Sequence, residues 1–381
     1  MKHVIEIDYD PERMRANHER LSAIYSGLPA DRVPVIMGME ARYTLQERKS
    51  SFAKYYRDPT THLIEQLENF KWVVHHVDDD RLTGYAVAAF PDFQNTVGAA
   101  GFGAEIIWQE HEVPSVRPCI HSVEAMENWP MPDIHSGFWA KKIRWFYEMK
   151  EAAEEVTALI NGRVVPIHVF LNIGGEGPFQ IAVDLVGEDF YWWLYEYPEA
   201  CHRFLRKITY GKMQFEDLCR RLSPGGGEYW YSEDSAQMIS EAMYREFCVP
   251  YDEALYSRYG GRRVMHLCGS SLHLHRLLVE ELKIDVFHGL NHAVPLAEVK
   301  KTLKPYTVVI GNLNPLTLLN GTPQDVEEEV LDCISNLAPG GRLVISDGYG
   351  IMPGTPLCNI NRVADVSRKL GRQAFDREQN I

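Results

Sequence analysis

Two kinds of apolar pattern alternate along most of this chain. Amphipathic stretches with the spacing of a helix face give way, across short turns rich in Gly and Pro, to brief apolar runs that read as strands buried on both sides. The first 30 residues read as a helical lead-in: PERMRANHERLSAIYSGL places Met14, His18, Leu21 and Ile24 on one helix face before a break at 27–29. VPVIM over 33–37 then predicts an inner strand, ended by Gly38. Residues 52–129 are the least regular part. A polar helix leads to WVVHHV, to YAVAAF and to a Gly-rich stretch, AAGFGAEIIWQEHEVPSV, that suits a β-hairpin insertion or a lid. Residues 138–159 have a clear helical period, and NGR feeds the strand VVPIHVFL.

After that the alternation is regular. A helix over 190–221 leads through SPGGG to the strand EYWYS, and a helix over 244–259 leads through GGR to RVMHLCG. Helices over 272–282, 296–303 and 323–337 precede IDVFHGL, YTVVIGNL and GRLVISDG, and a last helix follows. Strands and helices alternating across short turns predict parallel βαβ units. An open doubly wound sheet competes, but it wants GxGxxG after its first strand, and that motif is missing. A barrel brings all its strand C-terminal ends to one mouth, and polar side chains recur at those ends: Glu233 and Asp234, His266 and Cys268, His288, Asn312 and Asn314, Asp347. The expected fold is therefore α/β, a single (β/α)8 TIM barrel over 31–381, with the lead-in 1–30 before it and an irregular insertion near 78–135.

Composition narrows the function. Hydrophobic residues make up 45% and charged residues 24% of the chain, which excludes a mainly disordered protein. A formal net charge of −14 gives no basis for binding nucleic acid or an anionic membrane surface. No apolar run approaches the ~18 residues of a membrane span, and the start lacks the apolar core of a secretory signal, so a cytoplasmic location is expected. Seven scattered cysteines with no CxxC pair predict reduced, mostly buried thiols.

The clearest chemistry is His266-Leu267-Cys268. Residues two apart on a strand share a face, so an imidazole and a thiol can point at one metal, or else pack together in the core. A nitrogen and sulfur pair favours zinc with a position left open for a substrate. Glu233 and Asp234, at another strand end, suit a general acid or the orientation of a ligating His; a helix cap is their structural alternative. His75, His76, His111, His121, His273 and His275 read as surface or core histidines, and Trp192, Trp193 and Tyr195 as packing rather than a stacking platform for a ligand.

HLCGSS, GNLNPLTLLNGTPQDVEEEV and GGRLVISDGYGIMPGTPLCNI together resemble the C-terminal half of the uroporphyrinogen decarboxylase superfamily, in particular its corrinoid-dependent methyltransferase branch; DRVPVIMGMEARYTL resembles it more weakly near the start. The resemblance implies a (β/α)8 barrel with its site at the C-terminal mouth. The decarboxylases carry two arginines, four apart, that grip substrate carboxylates; here Gly38 holds the first place and only Arg42 matches the second. That argues against a porphyrinogen substrate and leaves Arg42 for some other anionic group or for a salt bridge. The methyltransferases bind zinc through His-x-Cys, matched by His266 and Cys268, and through a further Cys whose place is held by Tyr349. A third ligand is then expected from Asp347, His288 or Glu233, and Cys358 is set aside. One thiolate in place of two leaves a harder Lewis acid, suited to polarising an oxygen or nitrogen leaving group. The implied activity is transfer of a methyl group from a small methylated substrate, ether-type favoured, to the cobalt of cobalamin carried by a partner corrinoid protein. Glu233, Tyr349 and Asp347 are the expected catalytic residues, and Arg42, Asn312 and His288 the expected substrate contacts. The rival readings are a metal-independent decarboxylase and a non-catalytic ligand-binding barrel.

Overall fold

The computed structural model describes residues 3–81, 86–290, 292, 294–348 and 350–376. Five strands, Glu228–Ser232, Arg262–His266, Val286–His288, Val308–Ile310 and Leu343–Val344, pair in parallel in chain order. Val87–Ala89 pairs in parallel with Ile167–Val169, and the bridges Glu176 to Ser232 and Val35 to Ile345 join these pieces into a ring. The expected (β/α)8 barrel is the fold.

Among the described residues, the first barrel segment makes no regular ladder with the second. Its amides are taken up by side chains instead: Asp80 accepts from the Val35 N–H at 2.8 Å and Asp79 from that of Met37 at 3.1 Å. Asp80 is fully buried and is held by Arg20 at 2.8 Å and Arg32 at 2.6 Å. A buried carboxylate with two guanidiniums is stable only because each partner is present.

Where the structure departs from the sequence pattern, the cause is local. The lead-in opens with a strand, His3–Ile7, before its helix Pro11–Tyr25. This strand pairs in parallel with Val156–Ile160 and, with Arg163–Val165 beyond, forms a three-stranded sheet outside the barrel with its own small core. Residues 156–159 read as the end of a helix, yet that helix stops at Glu154. Asn161 (φ 51°) and Gly162 (φ 71°) turn the chain back in a two-residue hairpin, a left-handed pair that Asn-Gly adopts readily. Asn161 also clasps Tyr9, accepting from its N–H at 2.7 Å and donating to its C=O at 2.6 Å. Asn161→Ala is expected to cost about 2 kcal/mol, from left-handed strain and lost hydrogen bonds, while Asn161→Gly loses the bonds alone. Urea unfolding midpoints of the two variants separate these contributions.

The helix expected over 190–221 is two, Asp189–Glu196 and Pro198–Leu222, because Pro198 can only start a helix. WVVHH is not a strand but the last turns of Pro59–His76. In the insertion, Glu105–Ile107 and Ser115–Arg117 form an antiparallel hairpin. All seven cysteines are unpaired, with Cys201, Cys219, Cys248 and Cys333 buried. Of the aromatic run, Trp193 packs in the core, whereas Trp192 and Tyr195 are exposed and do not. Among the described residues no helix is long and apolar enough to cross a membrane.

Candidate metal centre and adjoining cavity

In-register pairing lines up Ser232, His266, His288 and Ile310 across four adjacent strands. Side chains of the same parity on neighbouring parallel strands share a face, so this row and the residues two further on, Asp234 and Cys268, meet at the mouth. Asp234 Oδ1 accepts from the Cys268 N–H at 2.7 Å and lies 3.5 Å from His266 Nε2. One ligand atom each from Asp234, His266 and Cys268 lies within 4.8 Å of the others. Tetrahedral zinc, with bonds of about 2.0–2.3 Å, wants donors somewhat closer than this, a gap that small side-chain rotations close.

His266 and His288 touch through their Nδ1 atoms at 2.7 Å, one ring donating and the other accepting. This leaves Nε2 of His266 facing Asp234, so His288 orients the ring while the far nitrogen stays available. Burial pushes both imidazoles down to about 4, so both are neutral at physiological pH and have a lone pair to give. Burial and the neighbouring Asp234 push the Cys268 thiol up. Gly289 (φ 79°) makes room for this ring: a Cβ there would stand 2.3 Å from His266 Cε1.

The other sequence-level candidates are placed differently. Glu233 is fully buried with the opposite parity, on the helix side of its strand. It accepts from the N–H groups of Phe179 (3.1 Å) and Gln180 (2.7 Å), at the start of helix Pro178–Val186, and shares a hydrogen bond with Asp252. Of the adjacent pair it is therefore Asp234, not Glu233, that stands beside His266 and Cys268. Asp347 is buried and accepts from the N–H groups of Gly38 (2.6 Å) and Gly350 (2.5 Å). A Cβ on Gly38 would stand 3.0 Å from Asp347 Oδ2, a tight contact that glycine avoids. Arg42 pairs at 2.6 Å with Glu112 of the insertion, on the surface. Asn312 is buried just past Val308–Ile310, and Tyr349 lies outside the described residues. His275 is buried between Ser271 and Thr302, and His273 bonds the Ile239 carbonyl.

A cavity of about 410 Å³ opens at the ends of the first four barrel segments, lined among others by Glu40, Tyr55, Asp92, Lys142, Asn172 and Trp230. The Trp230 ring, part of this lining, lies 6.2 Å from that of His266. A second space of about 560 Å³ reaches Asp234 from the other side, under the insertion hairpin, and is walled by Glu176 and Asp184. Glu40 is wet on one side but ringed by protein; that ring, then Asp92 and Asp347, pushes its carboxyl up to about 7. Burial brings the Lys142 ammonium down to about 8. Of the four cavity residues Glu40, Asp92, Lys142 and Trp230, Glu40 lies in the weakly family-like DRVPVIMGMEARYTL and Trp230 in the strand EYWYS, but neither segment marked them as lining a site; their place at strand ends and helix faces that converge here does.

A methylated-thiol–coenzyme M methyltransferase from Methanosarcina mazei is 24% identical to this chain over 341 residues, covering 84% of the chain and 86% of that relative. A uroporphyrinogen decarboxylase from Myxococcus xanthus is 29% identical over 237 residues, but the match spans 59% of the chain and only 62% of that enzyme. The solved structure of a methyltransferase from Methanosarcina mazei superposes with a TM-score of 0.69 at 19% identity, over 92% of this chain and 98% of that one, a likeness of fold. The family model described as uroporphyrinogen decarboxylase matches residues 16–370, nearly the whole barrel and the second half of its lead-in, and the chain belongs to that family.

Proposed function

We propose that this protein is a methyltransferase of a corrinoid system, moving a methyl group from a small methylated substrate to the cobalt of a corrinoid protein. The observation that carries the reading is the Asp234, His266 and Cys268 cluster at the barrel mouth, with Asp234 lining one space and His266 next to Trp230 of the other. The long match to a methyltransferase supports it, as does glycine at position 38 in place of an arginine.

The donor set fits zinc: one carboxylate, one neutral imidazole and one thiol. When bound, zinc would supply a Lewis acid toward the atom that carries the methyl group. Oxygen is favoured there, because Asp and His with a single Cys make a hard site, and an ether-type donor follows. The chain's own residues do the rest. His288 fixes the ring of His266, the backbone N–H of Cys268 holds Asp234 in place, and Trp230 forms the wall against which the methyl end of the donor lies. The described residues form one barrel with its small outer sheet and no separate corrinoid-binding unit, so the corrinoid is taken to arrive on a partner protein, at the mouth.

The family match by itself would equally suit a decarboxylase. A polycarboxylate needs free guanidiniums, however, and Arg42 is paired with Glu112 while Arg81 forks onto Asp79 at 2.8 and 2.6 Å. Purified protein incubated with cob(I)alamin and a panel of methyl ethers, methylamines and methyl thiols is expected to form methylcobalamin, followed by its visible spectrum, and to leave coproporphyrinogen production at background. Absence of methylcobalamin with every donor would overturn the reading.

A further inference from the structure

The cavity beside Trp230 has unmatched charge of both signs. The Glu40 carboxylate has no hydrogen-bond or ion-pair partner among the described residues. Asp92 accepts from the Gln94 N–H at 2.9 Å, from Gln94 Nε2 at 2.8 Å and from the Tyr55 hydroxyl at 3.5 Å, all neutral donors. Lys142 is 1% exposed and donates to the Pro91 carbonyl at 2.8 Å and to Asn172 Oδ1 at 3.0 Å. An ammonium has three N–H groups, so one is left over, and among the described residues no carboxylate lies within ion-pairing distance. Arg81, the other cation of the lining, is neutralised by Asp79. A buried ammonium without a counter-ion is costly unless something in the cavity completes it, and the same holds for two carboxylates facing one space. Tyr55, Phe90, Phe93 and Trp230 provide the apolar and aromatic wall between them, a surface that accepts a methylated or cationic group.

We propose that this cavity takes a small zwitterion, with its cationic group toward Glu40 and Asp92 and its anionic group on the spare N–H of Lys142. Resting on the methyltransferase reading above, this zwitterion is the methyl donor, with its methyl end toward Trp230 and the cluster. Two opposite charges held at separate points would fix the donor's orientation in the cavity, which a methyl group alone cannot do. They would also select against the uncharged methyl ethers that a purely apolar pocket would admit.

Four methyl ethers of similar size separate the contributions: O-methylserine carries both charges, 2-methoxyethylamine only the positive one, 3-methoxypropionate only the negative one, and 1,2-dimethoxyethane neither. Calorimetric titration is expected to show O-methylserine binding at least about tenfold more tightly than each of the others, the scale of one charge-assisted hydrogen bond. Glu40→Gln, at a wet position where folding is not at stake, is expected to erase the advantage over 3-methoxypropionate. Lys142→Met, checked for folding by its melting curve, is expected to erase the advantage over 2-methoxyethylamine. Equal binding of all four ethers, or selectivity untouched in Glu40→Gln, would overturn the proposal. Methylcobalamin formation with the same four compounds keeps the two readings apart: transfer without charge preference sinks the zwitterion alone, and charge-selective binding with no transfer from any donor sinks the methyltransferase alone.

Discussion

Each of His266→Ala, Cys268→Ala and Asp234→Asn is expected to strip most of the zinc from the purified protein while leaving its melting temperature within a few degrees. Three protein donors converge on one point, and a site deprived of one of three loses orders of magnitude in affinity. The barrel does not lean on the cluster: its three side chains sit half-buried at the rim, not in the core. His288→Ala is expected to weaken binding less, about 10- to 100-fold, because it would remove only the hydrogen bond that orients His266. Tyr349→Cys, supplying the thiolate that the family resemblance implies at that place, is expected to tighten binding. If His266 and Cys268 were only packed together, Cys268→Ala would instead cost about 1–2 kcal/mol through a small cavity and leave metal content unchanged. Zinc stoichiometry by elemental analysis alongside melting curves decides between these outcomes.

Glu233→Ala is expected to do the opposite, lowering stability by about 3–5 kcal/mol with zinc content intact. The substitution orphans two N–H groups at a buried helix start and leaves Asp252 without its partner in a pocket shut off from water. Asp252 keeps the Tyr244 hydroxyl, at 2.9 Å. Glu233→Gln retains one acceptor and should recover part of the loss. Burial and then Asp252 hold the Glu233 carboxyl well above the ordinary carboxylate range, so the folded protein keeps a proton there that the unfolded chain has released. The stability this group contributes is therefore full in acid, below the unfolded value, and falls as pH climbs through the folded one. Loss of zinc in Glu233→Ala with an unchanged melting curve would reverse the assignment of the two neighbours.

The contrast between Glu233 and Asp234 marks how far the sequence could be read. Alternation of helix and strand and the run of polar strand ends were enough for the barrel and for the meeting of His266, Cys268 and His288. Choosing between adjacent carboxylates required the register, since parity is known within a strand but not between strands until Ser232 is seen opposite His266. With that pairing, Asp234 is the only one of the two that can face Cys268. The outer sheet was missed because His3–Ile7 is a short strand with two buried positions, and because Val156 and Thr157 continue the period of the helix before them. The Asn161-Gly162 pair was the available signal. Lys142 stayed hidden for another reason: on helix Gly137–Glu154 it reads as one more polar residue, and only the packing turns it inward.

The join between the first and second barrel segments gives the lead-in an unexpected standing. Arg20 belongs to helix Pro11–Tyr25, outside the ring, yet it holds the carboxylate that satisfies Val35 inside it. The opening segment is thus a clasp and not an appendage: the cylinder is shut by a residue that precedes it in the chain, and trimming that helix would unfasten the barrel at the seam closest to Gly38 and Glu40. The architecture of the mouth therefore depends on a stretch that a comparison of barrel strands alone would discard.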